Sequence, residues 1–551
     1  MKGTNLQMNH TINRLCRMLL LLLCFVAVLA PKPASAHSVL TKAVPEPNSQ
    51  LAEAPDRIEL TFNERLESEL YYIKLYDEIG RVVSDRKAAL SEDQKALSLE
   101  LPKLSNGRYT VTYHVISADG HPVEGTYVLS FGPGGDGGLI ADSSSLHAGH
   151  QLSADMSVYD ILKYVSRIAY FFGLLAVVGW VLWGVWADLR QSPIRDHYRN
   201  GLLAMQRTHF LALIAFIYFH YQDLLGDQGL GELLSLFTGT WVGRSWLAAL
   251  VLALVGFAWL GRSKAGDAAW IALLLAAKSV NGHAMGHEPQ WLTVSLDFAH
   301  LLGAAVWVGG LLLIVPLWNK NRAWVDSFLP RFSNGALIAI IVLVLSGTAT
   351  TLLYLPGLNY LLYSQWGKFL IAKVVFVVLV ILLGLGIRMA MKQRKEKDLR
   401  DMVRMDFGAM AIIVVLVGLL TFISPVPPNE PLYWHEMGET VHMTTQITPK
   451  VPGDNQFRVD VWLPKELGKP KQVLMKLQNV EKPDIAPIEV PLKEHVNEQQ
   501  DASFVADETF GQFSYKAEGP YLPFAGKWKM EVRIMDKNDD ETVYKTESRL
   551  Y

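Results

Sequence analysis

From residue 58 onward the chain alternates between apolar and polar positions. Ile58, Leu60 and Phe62 set a two-residue period that returns at Tyr71, Ile73 and Leu75, and again at Leu97, Leu99 and Leu101. It continues through Tyr109, Val111, Tyr113 and Val115, and then Tyr127, Leu129 and Phe131. Such a period places every second side chain on one face of a strand. Pro, Gly, Asn and Asp break the runs, so residues 37–133 are expected to form a small β-sandwich or barrel. Residues 134–157 lose all periodicity and fill with Gly and Ser, which predicts a flexible linker. Between 158 and 424 the pattern becomes continuous apolar segments, at about 160–188, 205–222, 245–261, 267–280, 293–317, 335–355, 367–388 and 405–424. Each approaches the ~20 residues that a helix needs to cross the hydrocarbon, the fourth least closely, so eight transmembrane helices are expected. Alternation resumes at 457–461, 473–477 and 528–535, which predicts a second β-sandwich over 425–551.

The first 36 residues fit none of these elements. Arg14 and Arg17 precede an apolar run, which Pro31 and then Ala34-Ser35-Ala36 follow. This is the layout of a secretory signal peptide, with the apolar run too short to span. Cleavage after Ala36 would make His37 the first residue, and its α-amine and imidazole could chelate one metal ion together. Both cysteines, Cys16 and Cys24, lie inside the removed segment. The mature chain is then expected to hold no disulfide and no thiolate metal site.

Charge sets the expected orientation. The connections near 190–207, 262–264, 320–331 and 388–404 carry sixteen Lys and Arg, and those near 223–243, 281–292 and 355–365 carry none. By the positive-inside rule the first set is cytoplasmic. A signal peptide followed by an exported β domain requires the same orientation, so both β domains are expected outside. Overall charge nearly cancels, with 51 basic and 53 acidic residues, and gives no reason to expect nucleic acid as a partner.

The candidate chemistry is metal binding on the outer side. The stretch NGHAMGHEPQWLTVSLDFAHLLGAAVWVGG, residues 281–310, sets His283, Met285 and His287 in a polar outward loop. Asp297 and His300 follow in the next helix, with His300 about 12 Å down its axis. Imidazole and thioether are ligands for transition metals, copper above all, and ionisable groups at membrane depth are functional candidates. In the first β domain Asp119 and His121 share the turn SADGHPVEG. His114 is expected to be an exposed bystander on the face opposite Tyr113 and Val115. Lys278, Lys368 and Lys373 are expected to snorkel toward the interface. The last domain opens with Tyr433-Trp434-His435-Glu436-Met437 and then His442-Met443, where soft and borderline ligands share what reads as a strand edge.

With His37 exposed by an A-x-A site and followed by VLTKAVPEPNSQL, and with SADGHPVEGTYVLSF later on, residues 37–133 resemble the periplasmic copper-binding family CopC. The resemblance implies a cupredoxin-like sandwich with a Cu(II) site formed by His37, Asp119 and His121. Some members add a methionine-rich Cu(I) loop, but residues 37–133 contain no methionine, so no Cu(I) site is expected there. NGHA followed by HLLGAAVWVGGLLL, Ser346-Gly347-Thr348 and WGKFLIAK are similar to the CopD family of copper-transport membrane proteins. Together they resemble CopC/CopD fusion copper transport proteins, the YcnJ type. That resemblance implies copper capture outside and passage through the bundle, with Cu(I) admitted in the membrane part and an extracytoplasmic copper chaperone admitted as a partner. No G-x-x-x-x-G-K-[ST] sequence is present, so direct ATP drive is not expected. The alternatives are sequestration without import, a copper-dependent oxidative enzyme, and a haem carrier using His220 and His300.

Overall fold

A computed structural model describes residues 40–131, 158–426, 429–495 and 510–551, leaving out positions 46, 48–49, 52, 63, 78, 80, 85, 227–228, 356, 424, 430 and 439. The expected signal peptide, His37 and the 134–157 linker lie outside the described residues. The helices fall into one compact unit. The β domains and segment 224–240 fall into another.

The N-terminal domain is built from β1 (Leu40–Val44), β2 (Gln50–Leu51), β3 (Arg57–Phe62), β4 (Tyr72–Tyr76), β5 (Ala89–Leu90), β6 (Ala96–Glu100), β7 (Gly107–Ile116) and β8 (Pro122–Phe131). They form two four-stranded sheets, ordered β1-β3-β6-β5 and β2-β8-β7-β4. The alternating residues meet between the sheets. Ile58, Leu60, Leu75, Leu97, Leu99, Val111, Val115, Leu129 and Phe131 are fully buried in one core. Burying an aliphatic side chain of this kind contributes about 1.5–3 kcal/mol, which fixes the register of each strand.

One expectation fails here. His114 does lie on the face away from the core, yet it is 0% exposed. Its Nδ1 is 2.8 Å from Glu124 Oε1, its Nε2 is 3.2 Å from the Leu224 carbonyl, and its ring stacks on Tyr72. Leu224 and Gly226 lie against His114 on this face, and the Ser68 hydroxyl reaches the Gly239 carbonyl at 3.5 Å. A partner 110 residues away leaves no trace in a local period.

The membrane part contains α1 (Val158–Trp186), α2 (Arg195–Leu225), α3 (Trp241–Trp259), α4 (Lys264–Ser279), α5 (Gln290–Leu317), α6 (Arg322–Tyr354), α7 (Gln365–Gln393) and α8 (Glu396–Leu420). Among the described residues seven of these are long and apolar enough to cross a membrane. The exception is α4, the fourth of the expected eight, with 16 residues. It starts sharply, because the Ser263 hydroxyl accepts from Gly266 N at 3.0 Å. Asp267 in its first turn accepts from Gly261 N at 3.0 Å and pairs with Arg190. At the crossing of α1 and α5 two glycines meet. A side chain at Gly179 would strike the Ala305 carbonyl and the Gly309 Cα, and one at Gly309 would strike Gly179. Small residues let helices approach this closely in lipid.

The C-terminal domain is a second sandwich. One sheet has the order β14-β15-β11-β10-β9, made of β9 (Leu432–Met437), β10 (His442–Thr448), β11 (Gly453–Pro464), β14 (Lys493–His495) and β15 (Phe510–Leu522). The other is β13-β12-β16-β17, from β12 (Gln472–Asn479), β13 (Ile488–Val490), β16 (Gly526–Met535) and β17 (Glu541–Leu550). Phe457, Val459, Val461, Met475, Leu477, Trp528, Met530 and Val532 fill the space between them.

Candidate metal centres

The ten-residue strands β7 and β8 pair as far as Ile116 and Pro122, which leaves only residues 117–121 to turn the chain. Gly120 takes φ +86°, a conformation that glycine adopts at little cost. Ser117 N donates to the His121 carbonyl at 2.9 Å, and Gly120 N donates to the Ser117 carbonyl at 2.8 Å. The Ser117 hydroxyl bonds to Asp119 Oδ1. The tight turn therefore presents Asp119 and His121 together, with His121 Nδ1 3.2 Å from Asp119 Oδ2. Asp119 is buried.

A second carboxyl group joins them. Ala118 N donates to the Arg65 carbonyl and Leu66 bridges Ser117, so this antiparallel register brings Glu64 opposite Asp119. Burial first, and the Asp119 carboxylate second, push the Glu64 carboxyl up to about 8, against an opposing pull from Lys95. A cation set between these carboxylates would relieve their repulsion. Nothing in the sequence pattern pointed to Glu64, which sits just past the end of a strand.

In the membrane unit the loop between α4 and α5 makes a short helical turn over His283–Gly286. Thr293 on α5 pins it by donating to the Ala284 carbonyl at 2.6 Å, and Gln290 donates to the Met285 carbonyl at 3.0 Å. His283 and His287 both pack against Tyr354 of α6, with ring centroids 6.4 and 4.3 Å away. Met285 is half-buried. His287 Nδ1 lies 3.0 Å from the His283 carbonyl. A carbonyl only accepts, so Nδ1 carries the hydrogen in the neutral ring and Nε2 keeps its lone pair.

His300 reaches the same state by another route. Its Nδ1 is 2.9 Å from the Ser346 hydroxyl of α6. That hydroxyl has one hydrogen, directed at the Val342 carbonyl 2.6 Å away, so its oxygen accepts from Nδ1–H. Nε2 is again the basic nitrogen, with a fixed ring orientation. This is how a ligating imidazole is usually oriented by its surroundings. Gly347 leaves room for the ring: a side chain there would meet His300 Cε1 at 3.3 Å.

One helical turn above His300, Asp297 Oδ2 is buried without a hydrogen-bond partner among the described residues. Lys278, Lys373, Tyr354 and Tyr170 are among its ionisable neighbours. Lys278 snorkels in part, since its Nζ donates to the Asn281 carbonyl at 3.1 Å at the end of α4. Lys373 lies within electrostatic range of both Asp297 and His300.

A β-sandwich with an acid–imidazole pair on a tight turn, joined to a bundle of apolar helices, defines a multi-pass membrane protein, and its oriented imidazoles are donors of the kind that transition metals take. Similarity to known proteins points to copper. Residues 40–132 match the CopC domain, and residues 326–423 match the family described as copper resistance protein D, or CopD. The chain joins a CopC domain to a CopD domain and so has the make-up of a CopC/CopD fusion protein. It is 28% identical to the copper transport protein CutJ of Bacillus subtilis, across 82% of this chain and 85% of that one. The first domain is 37% identical to protein YobA of Escherichia coli, over 17% of this chain and 78% of YobA. The inner membrane protein YebZ of Escherichia coli is 25% identical over 47% of this chain and 97% of its own length.

Proposed function

We propose that the protein captures Cu(II) outside the cell and passes copper through its bundle for uptake. The signal peptide is removed after Ala36, and the freed amine and imidazole of His37 complete a site with Asp119 and His121. Nitrogen and oxygen donors of this kind suit Cu(II). The bundle crosses eight times with α4 included, which leaves both β domains and the loop of His283, Met285 and His287 outside. His287 and His300 serve as successive ligands. Their sparse donors match what transport requires, a site that admits the ion and also lets it go.

The observation that carries this reading is the turn that holds His121 Nδ1 3.2 Å from Asp119 Oδ2 in a CopC-type domain. His121→Ala, or one extra residue placed before His37, is expected to weaken Cu(II) binding by the full-length protein at least tenfold in a competition titration. An unchanged affinity in both variants would remove the assignment. Direction is tested in cells. Deleting the gene should lower copper accumulation and slow growth under copper limitation, whereas greater sensitivity to excess copper with unchanged accumulation would favour sequestration.

A further inference from the structure

The first hairpin of the C-terminal domain holds a donor set that neither the first domain nor the bundle uses. β9 and β10 pair antiparallel, with Met437 opposite His442 and His435 opposite Thr444. Side chains alternate along each strand. Trp434, Met443 and Ile447 turn into the core. His435, Met437, His442 and Thr444 therefore share the other face. Met443, although beside His442 in sequence, is fully buried and takes no part.

Three observations distinguish this cluster from an ordinary strand edge. Met437 is 64% exposed, so packing does not account for its thioether. His442 Nδ1 is buried without a hydrogen-bond partner among the described residues, while its ring packs edge-on against Phe510 with centroids 5.0 Å apart. His435 is oriented through its Nδ1, 2.8 Å from the Thr444 hydroxyl. The two imidazoles are diagonal neighbours across the ladder, at a Cβ separation of about 7–8 Å or less.

We propose that His435, Met437 and His442 form a metal site for a soft monovalent ion, Cu(I), on this face of the C-terminal domain. Two imidazole nitrogens and one thioether suit Cu(I), and no carboxylate is needed to balance a second charge. The choice of Cu(I) over other soft ions rests on the copper reading above. The site complements the N-terminal one, whose domain offers no methionine between residues 37 and 133.

The test uses the purified full-length protein. Hydrogen peroxide oxidises exposed methionine, and Ag(I) serves as a redox-inert stand-in for Cu(I). In the wild type, one equivalent of Ag(I) beyond those taken by other sites should slow Met437 oxidation, followed by peptide mass spectrometry, at least tenfold. In His435→Ala/His442→Ala the protection should vanish. Cu(I) titration against a bicinchoninate competitor should then show one equivalent fewer in Met437→Leu, with Cu(II) stoichiometry unchanged. Met437 oxidation that ignores Ag(I), or an unaltered Cu(I) count in Met437→Leu, would overturn the site. Neither result bears on cellular copper accumulation, so this proposal and the uptake reading fail separately.

Discussion

Ser346 shows how much one hydroxyl can decide. It gives its hydrogen to Val342 and accepts one from His300 Nδ1, so the opposite ring nitrogen is left as the base. Orienting partners of this kind typically carry about 10–100-fold of metal affinity or activity. Ser346→Ala is therefore expected to cut copper accumulation about tenfold with normal protein levels in the membrane, and Ser346→Thr should restore most of it. Equal rates in wild type and Ser346→Ala would mean that His300 needs no orientation. Side chains brought together by a turn, such as Asp119 and His121, were legible in the sequence because a single residue separates them. Groups brought together by register or by helix crossing were not. Glu64 reaches Asp119 only through the bridge of Leu66 to Ser117, and Ser346 reaches His300 across 46 residues.

Among the elements, the strands were the easiest to read, because burial on one face imposes a strict period and the buried residues of both sandwiches follow it. Helix contacts in lipid leave a weaker mark, since an apolar side chain can face either lipid or protein. The α1–α5 crossing illustrates this, and it yields a matched pair of predictions. Gly179→Leu would have to push backbone against backbone at Ala305 and Gly309, and should destabilise the bundle by more than about 3 kcal/mol. Gly384→Leu on α7, with open space around it, should cost well under that. Thermal unfolding of the two variants in the same detergent checks both, and similar midpoints would place the tight contact elsewhere. In the C-terminal core, Trp528 is fully buried, and Trp528→Ala should cost about 3–5 kcal/mol.

For the whole molecule the open question is orientation, and the chain's composition makes it easy to test. Apart from Cys16 and Cys24 in the expected signal peptide there is no cysteine, so any introduced thiol reports alone once processing has occurred. Glu288→Cys, exposed in the α4–α5 loop, should react with a membrane-impermeant maleimide on intact cells. Lys397→Cys, exposed at the start of α8, should react only after the cells are opened. The reverse pattern would put the histidine loop in the cytosol and end the uptake scheme.

If α4 crosses the membrane in the proposed orientation, its length bears on where that loop would meet an ion. Sixteen residues cover about 24 Å, while the hydrocarbon is about 30 Å thick. A crossing helix that short forces the lipid to thin around it or leaves its outer end sunk below the headgroups. The histidines just beyond would then lie in a dimple of the outer leaflet, where water and cations can follow. An ion held there would have part of the insulating layer already behind it, and the remaining barrier would be correspondingly thinner.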